Sequence, residues 1–281
     1  MSQYAEGRLQ SEDGLTLFTR SWRPDGVETK AVTMIVHGLA EHSGRYVHVG
    51  EFLAGRGIAV EGFDLRGHGQ SSSPGSKTYV KRFDDYIADA HLMLQRLMQR
   101  YSGLPIFVLG HSMGGLIASL LVVSRQPAIR GLILSAPALK ISDDISPVLI
   151  KLSAIIGKLL PNLPTIKLDS SAISRDPEVV HKYDTDPLNY RGGIRARTGA
   201  EINRATQLIQ RQMEAIQLPL LILHGTADRL ADITGSKQLY ERAQSSDKEL
   251  KLYEGFYHEV MNEPEKEKVL NDIASWIEKR C

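Results

Sequence analysis

Short, almost wholly apolar runs recur along the chain at Ala31–Val36, Ile58–Phe63, Pro105–Leu109, Gly131–Leu134 and Leu218–Leu223. Runs of this length without polar alternation are what strands buried on both faces require, so they predict a parallel sheet. Between them lie longer segments with apolar residues at helical spacing: Phe83–Tyr101, Met113–Ser124, Thr234–Ala243 and Glu265–Lys279. Strand and helix therefore alternate, which defines a doubly wound α/β class. One stretch departs from this. From Leu15 to Trp22 apolar and polar residues alternate between acid- and glycine-marked turns, which predicts a half-exposed antiparallel strand at the sheet's edge.

The alternation fails between about Ala138 and Gln217. There Pro147, Pro161, Pro164, Pro177 and Pro187 punctuate short helix-like pieces with no convincing strand. We read residues 1–137 and 218–281 as one core and 138–217 as a helical cap inserted into it. Within the insertion, residues 145–160 (ISPVLIKLSAIIGKLL) place Ile145, Val148, Leu149, Leu152, Ile155, Ile156, Leu159 and Leu160 on one broad apolar face. Two readings fit that face: transient contact with a membrane surface, or packing on the core. The segment 71–77 (SSSPGSK) reads as a surface turn, and no internal repeat is present.

Composition narrows the partners. The 281 residues are 42% hydrophobic and 24% charged, and 34 basic side chains nearly balance 33 acidic ones. No basic field is available to attract nucleic acid. The single cysteine, Cys281, allows neither a disulfide framework nor a cysteine-based metal site, and fits a reducing compartment. The first residues (MSQYAEGRLQSEDG) carry acids where a signal peptide needs a basic start and an apolar stretch. No run reaches the roughly 20 apolar residues of a membrane-spanning helix. The expectation is a cytoplasmic protein, peripheral on membranes if the cap touches lipid, with its oligomeric state left open.

The chemistry begins at Gly110-His111-Ser112-Met113-Gly114-Gly115, where the apolar run Ile106–Leu109 meets a helix-like segment (LIASLLVV). A G-x-S-x-G sequence in strand–turn–helix context marks the nucleophile elbow of α/β-hydrolases. The turn forces the serine backbone into strain, and side chains at the flanking glycines would collide with strand and helix. The alternative is a Gly/Ser turn with Ser112 merely capping the helix.

A serine hydroxyl needs a histidine to take its proton and a carboxylate to orient that histidine. The run Leu220–Leu223 enters His224-Gly225-Thr226-Ala227-Asp228-Arg229, and Leu250–Tyr253 enters Gly255-Phe256-Tyr257-His258. Both Asp228 and His258 therefore fall just past strand ends, in the order Ser112, Asp228, His258 expected of this fold. Asp232, farther from its strand, and Asp64, ahead of the nucleophile, are the weaker acid candidates. His111 belongs to the elbow, His37 and His68 fall in glycine-flanked loops after early strands, and His48, His91 and His181 fall in helical segments or the cap, where polar packing or surface exposure accounts for them. The tetrahedral intermediate's charge needs preorganised donors. The backbone N–H of Met113, at a helix N-terminus, is one, and that of Leu39, in the loop where Gly38 permits a tight turn, is the other.

Taken together, His37-Gly-Leu-Ala-Glu-His-Ser-Gly-Arg-Tyr46, Asp64-Leu-Arg-Gly-His-Gly-Gln-Ser71, Gly110–Gly115, Gly225–Arg229, Tyr253–His258 and the stretches 168–175 and 183–187 resemble monoacylglycerol lipases over nearly the whole chain. The resemblance implies an α/β-hydrolase fold with a lid, cofactor-free hydrolysis of monoacylglycerols to fatty acid and glycerol, and a small lipid ester as the binding partner. It also implies that Glu41, Arg45 and Tyr183 bind the glycerol end or shape its exit. Two positions depart from animal-type members: Leu39 stands where alanine is usual, and Met261 where some have a second histidine. A lysophospholipase or broad carboxylesterase would share the triad, and a non-catalytic hydrolase-fold binding protein would be expected to have lost part of it.

Overall fold

The computed structural model describes residues 2–72, 76–140 and 155–281. Among these, the strands are β1 (Ser2–Gln10), β2 (Thr16–Pro24), β3 (Ala31–Val36), β4 (Ile58–Phe63), β5 (Ile106–His111), β6 (Gly131–Ser135), β7 (Leu220–Gly225) and β8 (Lys248–Tyr253). The helices are α1 (Val47–Gly55), α2 (Phe83–Arg100), α3 (Met113–Arg125), α4 (Pro177–Thr185), α5 (Ala196–Gln210), α6 (Ile233–Arg242) and α7 (Lys266–Glu278). The strands form one sheet in the order β1-β2-β4-β3-β5-β6-β7-β8. β1 and β2 are antiparallel to their neighbours and the pairs from β4 to β8 are parallel.

The apolar runs become central strands because both of their faces are covered. On β3, Val32, Met34 and Val36 enter the cluster packed by α2, α3, α5 and α6, whereas Ala31 and Ile35 enter the cluster packed by α1 and α7. At roughly 25 cal/mol per Å² of apolar surface removed from water, these two layers supply the main driving force for the fold. The parallel register carries Val36, His111, Ser135, Gly225 and Tyr253 to the same edge of the sheet.

Two features differ from the expectations. The alternating stretch at Leu15–Trp22 is not the edge strand. β1 pairs along its whole length, from Ser2 opposite Pro24 to Gln10 opposite Thr16, and so takes the edge. Thr19, Arg20 and Ser21 of β2 are buried instead of half-exposed, and the charged one among them is satisfied inside. Arg20 donates to Asp64 Oδ1 at 2.7 Å and Ser43 Oγ at 2.6 Å.

Between β6 and β7 the described residues form helices and turns, with a lone antiparallel bridge between Pro164 and Arg195. The later part of this stretch shares the main core, since Ala205 and Ile209 of α5 pack in the same cluster as α3. The amphipathic segment 145–160 lies outside the described residues up to 154. Beyond it Ile155, Leu159, Leu160, Leu163 and Ile166 are exposed. The turn at 71–77 falls partly outside them as well.

Candidate active site

Ser112 lies between β5 and α3 with φ 52° and ψ −117°, a conformation that costs a non-glycine residue about 1–3 kcal/mol. The surrounding chain holds it there: Ser112 N–H donates to Ser135 O, and Ser112 O accepts from Gly115 and Ala138 N–H, each at 3.0 Å. A methyl at Gly114 would overlap the carbonyl oxygens of Val36 and His37, and one at Gly110 would strike the Gly114 carbonyl. The side chain of Ser112 makes no capping hydrogen bond, so the helix-cap alternative lacks its defining contact. Strain without a capping role points instead to a side chain displayed for use.

His258 follows β8 and Asp228 follows β7, and their side chains meet with Nδ1 2.8 Å from Oδ2. The aspartate's other oxygen accepts the N–H groups of Leu230 at 2.7 Å and Ala231 at 3.0 Å. A second histidine, His224 at the end of β7, approaches Oδ2 through Nε2 at 3.0 Å while its Nδ1 meets Ser236 Oγ at 2.8 Å. Burial alone would raise the Asp228 pKa. The charge of His258 and the hydrogen bonds from both histidines override it and hold the carboxyl far below the usual range. For His258 burial works downward, but the Asp228 carboxylate prevails and its pKa lies above 6.5. Asp232 and Asp64 are engaged elsewhere. Asp232 caps α6 through Thr234 N–H at 2.9 Å, and Asp64 holds Arg20.

Ser112 and His258 line one cavity of about 140 Å³. Its apolar wall includes Leu39, Met113, Ala138, Ile202 and Leu230, and its polar wall includes Glu41, Tyr183 and Glu259. The N–H groups of Leu39 and Met113 have no acceptor outside the helix among the described residues. The loop carrying Leu39 is shaped differently from the expectation. Its left-handed residue is Ala40, at φ 65°, whereas Gly38 is required for space, because a methyl there would press on Glu41, Ser112 and His111.

The polar wall is a charged network. Glu41 Oε1 accepts Gly38 N–H at 2.6 Å and Tyr46 OH at 2.8 Å, tying the loop to Arg45, which donates to Glu41 Oε2 at 2.9 Å. Arg45 also grips Glu259 with two bonds of 2.5 and 2.7 Å, and its guanidinium lies 4.9 Å from the Tyr183 ring centre. Tyr183 OH donates to Ala40 O at 3.2 Å. Glu41 is held down to about 2, the Arg45 charge outweighing burial.

Ser112, Asp228, His258, Leu39, Met113, Glu41, Arg45 and Tyr183 thus converge on one sheet edge. The sequence reading missed Glu259, His224 and the burial of His111, whose ring centre is 4.8 Å from that of His258. Position beside the catalytic motifs was their only signal. Met261 is buried, and its carbonyl accepts from His48 Nε2 at 2.8 Å. Among the described residues no group of three or more His, Cys, Asp or Glu side chains could hold a metal ion, and no helix is long and apolar enough to cross a membrane.

An eight-stranded, mostly parallel sheet with a strained serine at its edge defines an α/β-hydrolase that acts as a serine hydrolase. A family model described as serine aminopeptidase, S33 (Hydrolase_4) matches residues 27–265, and the chain belongs to that family. It is 38% identical over 276 residues to the monoacylglycerol lipase of Mycolicibacterium smegmatis, covering 98% of each chain. It is 37% identical over 275 residues to the monoglyceride lipase of Homo sapiens, covering 97% of this chain and 90% of that one. The solved structure of a soluble variant of Saccharomyces cerevisiae monoglyceride lipase with a substrate analog is similar, with a TM-score of 0.86, 25% identity and coverage of 99% and 94%.

Proposed function

We propose that the protein hydrolyses monoacylglycerols to a fatty acid and glycerol through an acyl-enzyme on Ser112. The observation that carries this reading is the Asp228–His258 pair, bonded at 2.8 Å, beside a strained serine in a cavity with one apolar and one polar wall. His258 takes the Ser112 hydroxyl proton as Oγ attacks the ester carbonyl. The oxyanion that forms is stabilised by the N–H groups of Leu39 and Met113, each commonly worth a few kcal/mol. His258 then protonates the glycerol oxygen as the C–O bond breaks, and in a second round it activates the water that releases the fatty acid. Glu41 and Tyr183 of the polar wall receive the glycerol end, with Arg45 behind them holding both in place. The named activities of the relatives support the ester class and the head group.

The segment between β6 and β7 acts as the lid in this reading. The exposed Ile155, Leu159, Leu160, Leu163 and Ile166 make a patch suited to a lipid surface, close in sequence to the cavity residue Leu168.

The test is covalent labelling by a neutral fluorophosphonate together with turnover of a monoacylglycerol and a lysophosphatidylcholine of equal acyl length. The reading expects labelling and turnover to vanish in Ser112→Ala, and the monoacylglycerol to react faster in the wild-type protein. Faster turnover of the lysophospholipid would overturn the substrate, and labelling that survives in Ser112→Ala would overturn the nucleophile.

A further inference from the structure

Glu41 and Glu259 stand at the polar wall of the cavity with Arg45 bonded to both from behind it, and all three side chains are buried or nearly so. Two carboxylates and one guanidinium leave this cluster with a net charge of −1. The guanidinium has little left to offer a ligand. Nη1 serves Glu41 and Glu259, Nη2 serves Glu259, and one face is turned to the Tyr183 ring. A phosphate needs a free guanidinium fork or an uncompensated cation, and it finds neither here. The carboxylates retain accepting capacity. Glu259 Oε2 takes Asn262 Nδ2 at 2.8 Å and an Arg45 N–H, while Oε1 takes a single Arg45 N–H. Such a wall accepts hydroxyl donors and opposes negative charge.

The reaction fixes which end of the substrate meets this wall. His258 must hand its proton to the departing alcohol, so the alcohol lies on the side that His258 serves. Glu259 is the next residue in the chain and lines the same cavity. Lys182 and Lys266 do not offset the carboxylates from within, since they line an outer groove that Arg45 also borders. Lys182 there lies 3.5 Å from Glu178.

We propose that Glu259 is a specificity-determining residue that bars esters of negatively charged alcohols, such as acyl phosphoglycerols, and so confines the enzyme to esters of neutral or cationic alcohols. This rests on the reading of Ser112 as nucleophile with the leaving group at the polar wall. The experiment compares kcat/KM for one short acyl chain, kept below its micellar concentration, esterified to glycerol, to glycerol phosphate and to choline. In the wild-type protein the glycerol ester should exceed the phosphate ester by more than about tenfold, and the choline ester should be accepted, because only the sign of charge is opposed. Glu259→Gln should shift the glycerol-to-phosphate ratio by about tenfold toward the phosphate ester, while Glu259→Asp keeps the wild-type preference.

A wild-type protein that takes the phosphate ester as readily as the glycerol ester, or rejects choline and phosphate esters equally, overturns the proposal without any variant. So does an unchanged ratio in a folded Glu259→Gln protein. Ser112→Ala, assayed in parallel, separates the two levels. If it retains turnover, the reading of the site falls and the proposal with it. If it is inactive and the ratios fail, only the role of Glu259 falls. Should Glu259→Gln not fold, the three-ester comparison in the wild-type protein decides alone.

Discussion

Asp228 is buried among neutral donors, whereas Glu41 and Glu259, on the other side of His258, are buried around a cation. Asp228 is met by two backbone N–H groups and two imidazoles. Among the described residues no permanent cation touches it, so its charge is available to stabilise His258 when the imidazole becomes positive. Arg45, by contrast, already balances half of the charge of Glu41 and Glu259 and braces the loop that carries Leu39. The difference separates two uses of a buried carboxylate. One is kept electrostatically open for a charge that appears only during reaction, and the other is closed into a permanent brace.

The largest effect is expected where charge is available to the reaction. Asp228→Asn keeps the shape but loses the charge and the imposed tautomer, and turnover should fall by about 10⁴-fold. The pH profile sharpens the test. Protonated His258 cannot accept the serine proton, so a pKa raised above 6.5 places the acid limb of kcat/KM above that value. In the asparagine variant only the charges of Glu259 and Glu41 still oppose burial, and the limb should move down. Residual hydrolysis of an activated ester, followed across pH, reads this; a limb that stays in place would show that the Asp228 charge is not what raises His258.

Arg45→Met should act chiefly on stability. It leaves two buried carboxylates facing each other, a change typically worth about 3–5 kcal/mol, while Glu259→Gln leaves a balanced pair and should cost less. Thermal unfolding of the two variants gives the ranking. The pH dependence has a definite sign. Glu41 is held near 2 against an ordinary 4.5, so its contribution is complete above 4.5 and is lost as pH falls toward 2. The stability gap between wild type and Arg45→Met should therefore narrow on acidification. A gap that is constant with pH would make Arg45 a packing residue rather than a counter-ion.

The two clusters also differ in how far the sequence disclosed them. Asp228 and His258 follow strand ends, and strands β3 to β7 are legible because burial on both faces writes them as continuous apolar runs. Glu259 pairs with Arg45 across 214 positions, and no local pattern carries such a contact. The edge strand β1 escaped notice for a related reason. It is largely exposed, so Ser2–Gln10 (SQYAEGRLQ) carries no apolar signal and is held in place by its ladder to β2. In α1, Gly50 is required because Trp22 packs against it too closely for any side chain, and that neighbour lies on another element. The loop before Leu39 shows the same limit. Gly38 looked like the turn residue, but it is needed for the nearness of Ser112 and His111, which lie more than 70 residues away.

His224 provides the smallest and most discriminating test, because it touches Asp228 without touching the cavity. Its Nε2 faces two acceptors, Asp228 Oδ2 at 3.0 Å and Ala231 O at 3.3 Å, and so carries the proton, which leaves Nδ1 to accept from the Ser236 hydroxyl. Replacement by leucine deletes one of four donors to a buried carboxylate, a loss of about 1–3 kcal/mol if all of it fell on the reaction. Part is spread over the ground state, so a fall in kcat of roughly tenfold is expected, with KM little changed. A glutamine can present an amide N–H in the same direction and should recover much of the rate. The acid limb adds a readout that simple loss of packing would not move. With one donor fewer, the Asp228 charge is less satisfied and holds the His258 proton more strongly, so the limb should shift to higher pH in His224→Leu and return in His224→Gln. Equal activity in both variants, or a rate loss without a shifted limb, would assign His224 to the core and leave Asp228 oriented by the Leu230 and Ala231 N–H groups alone.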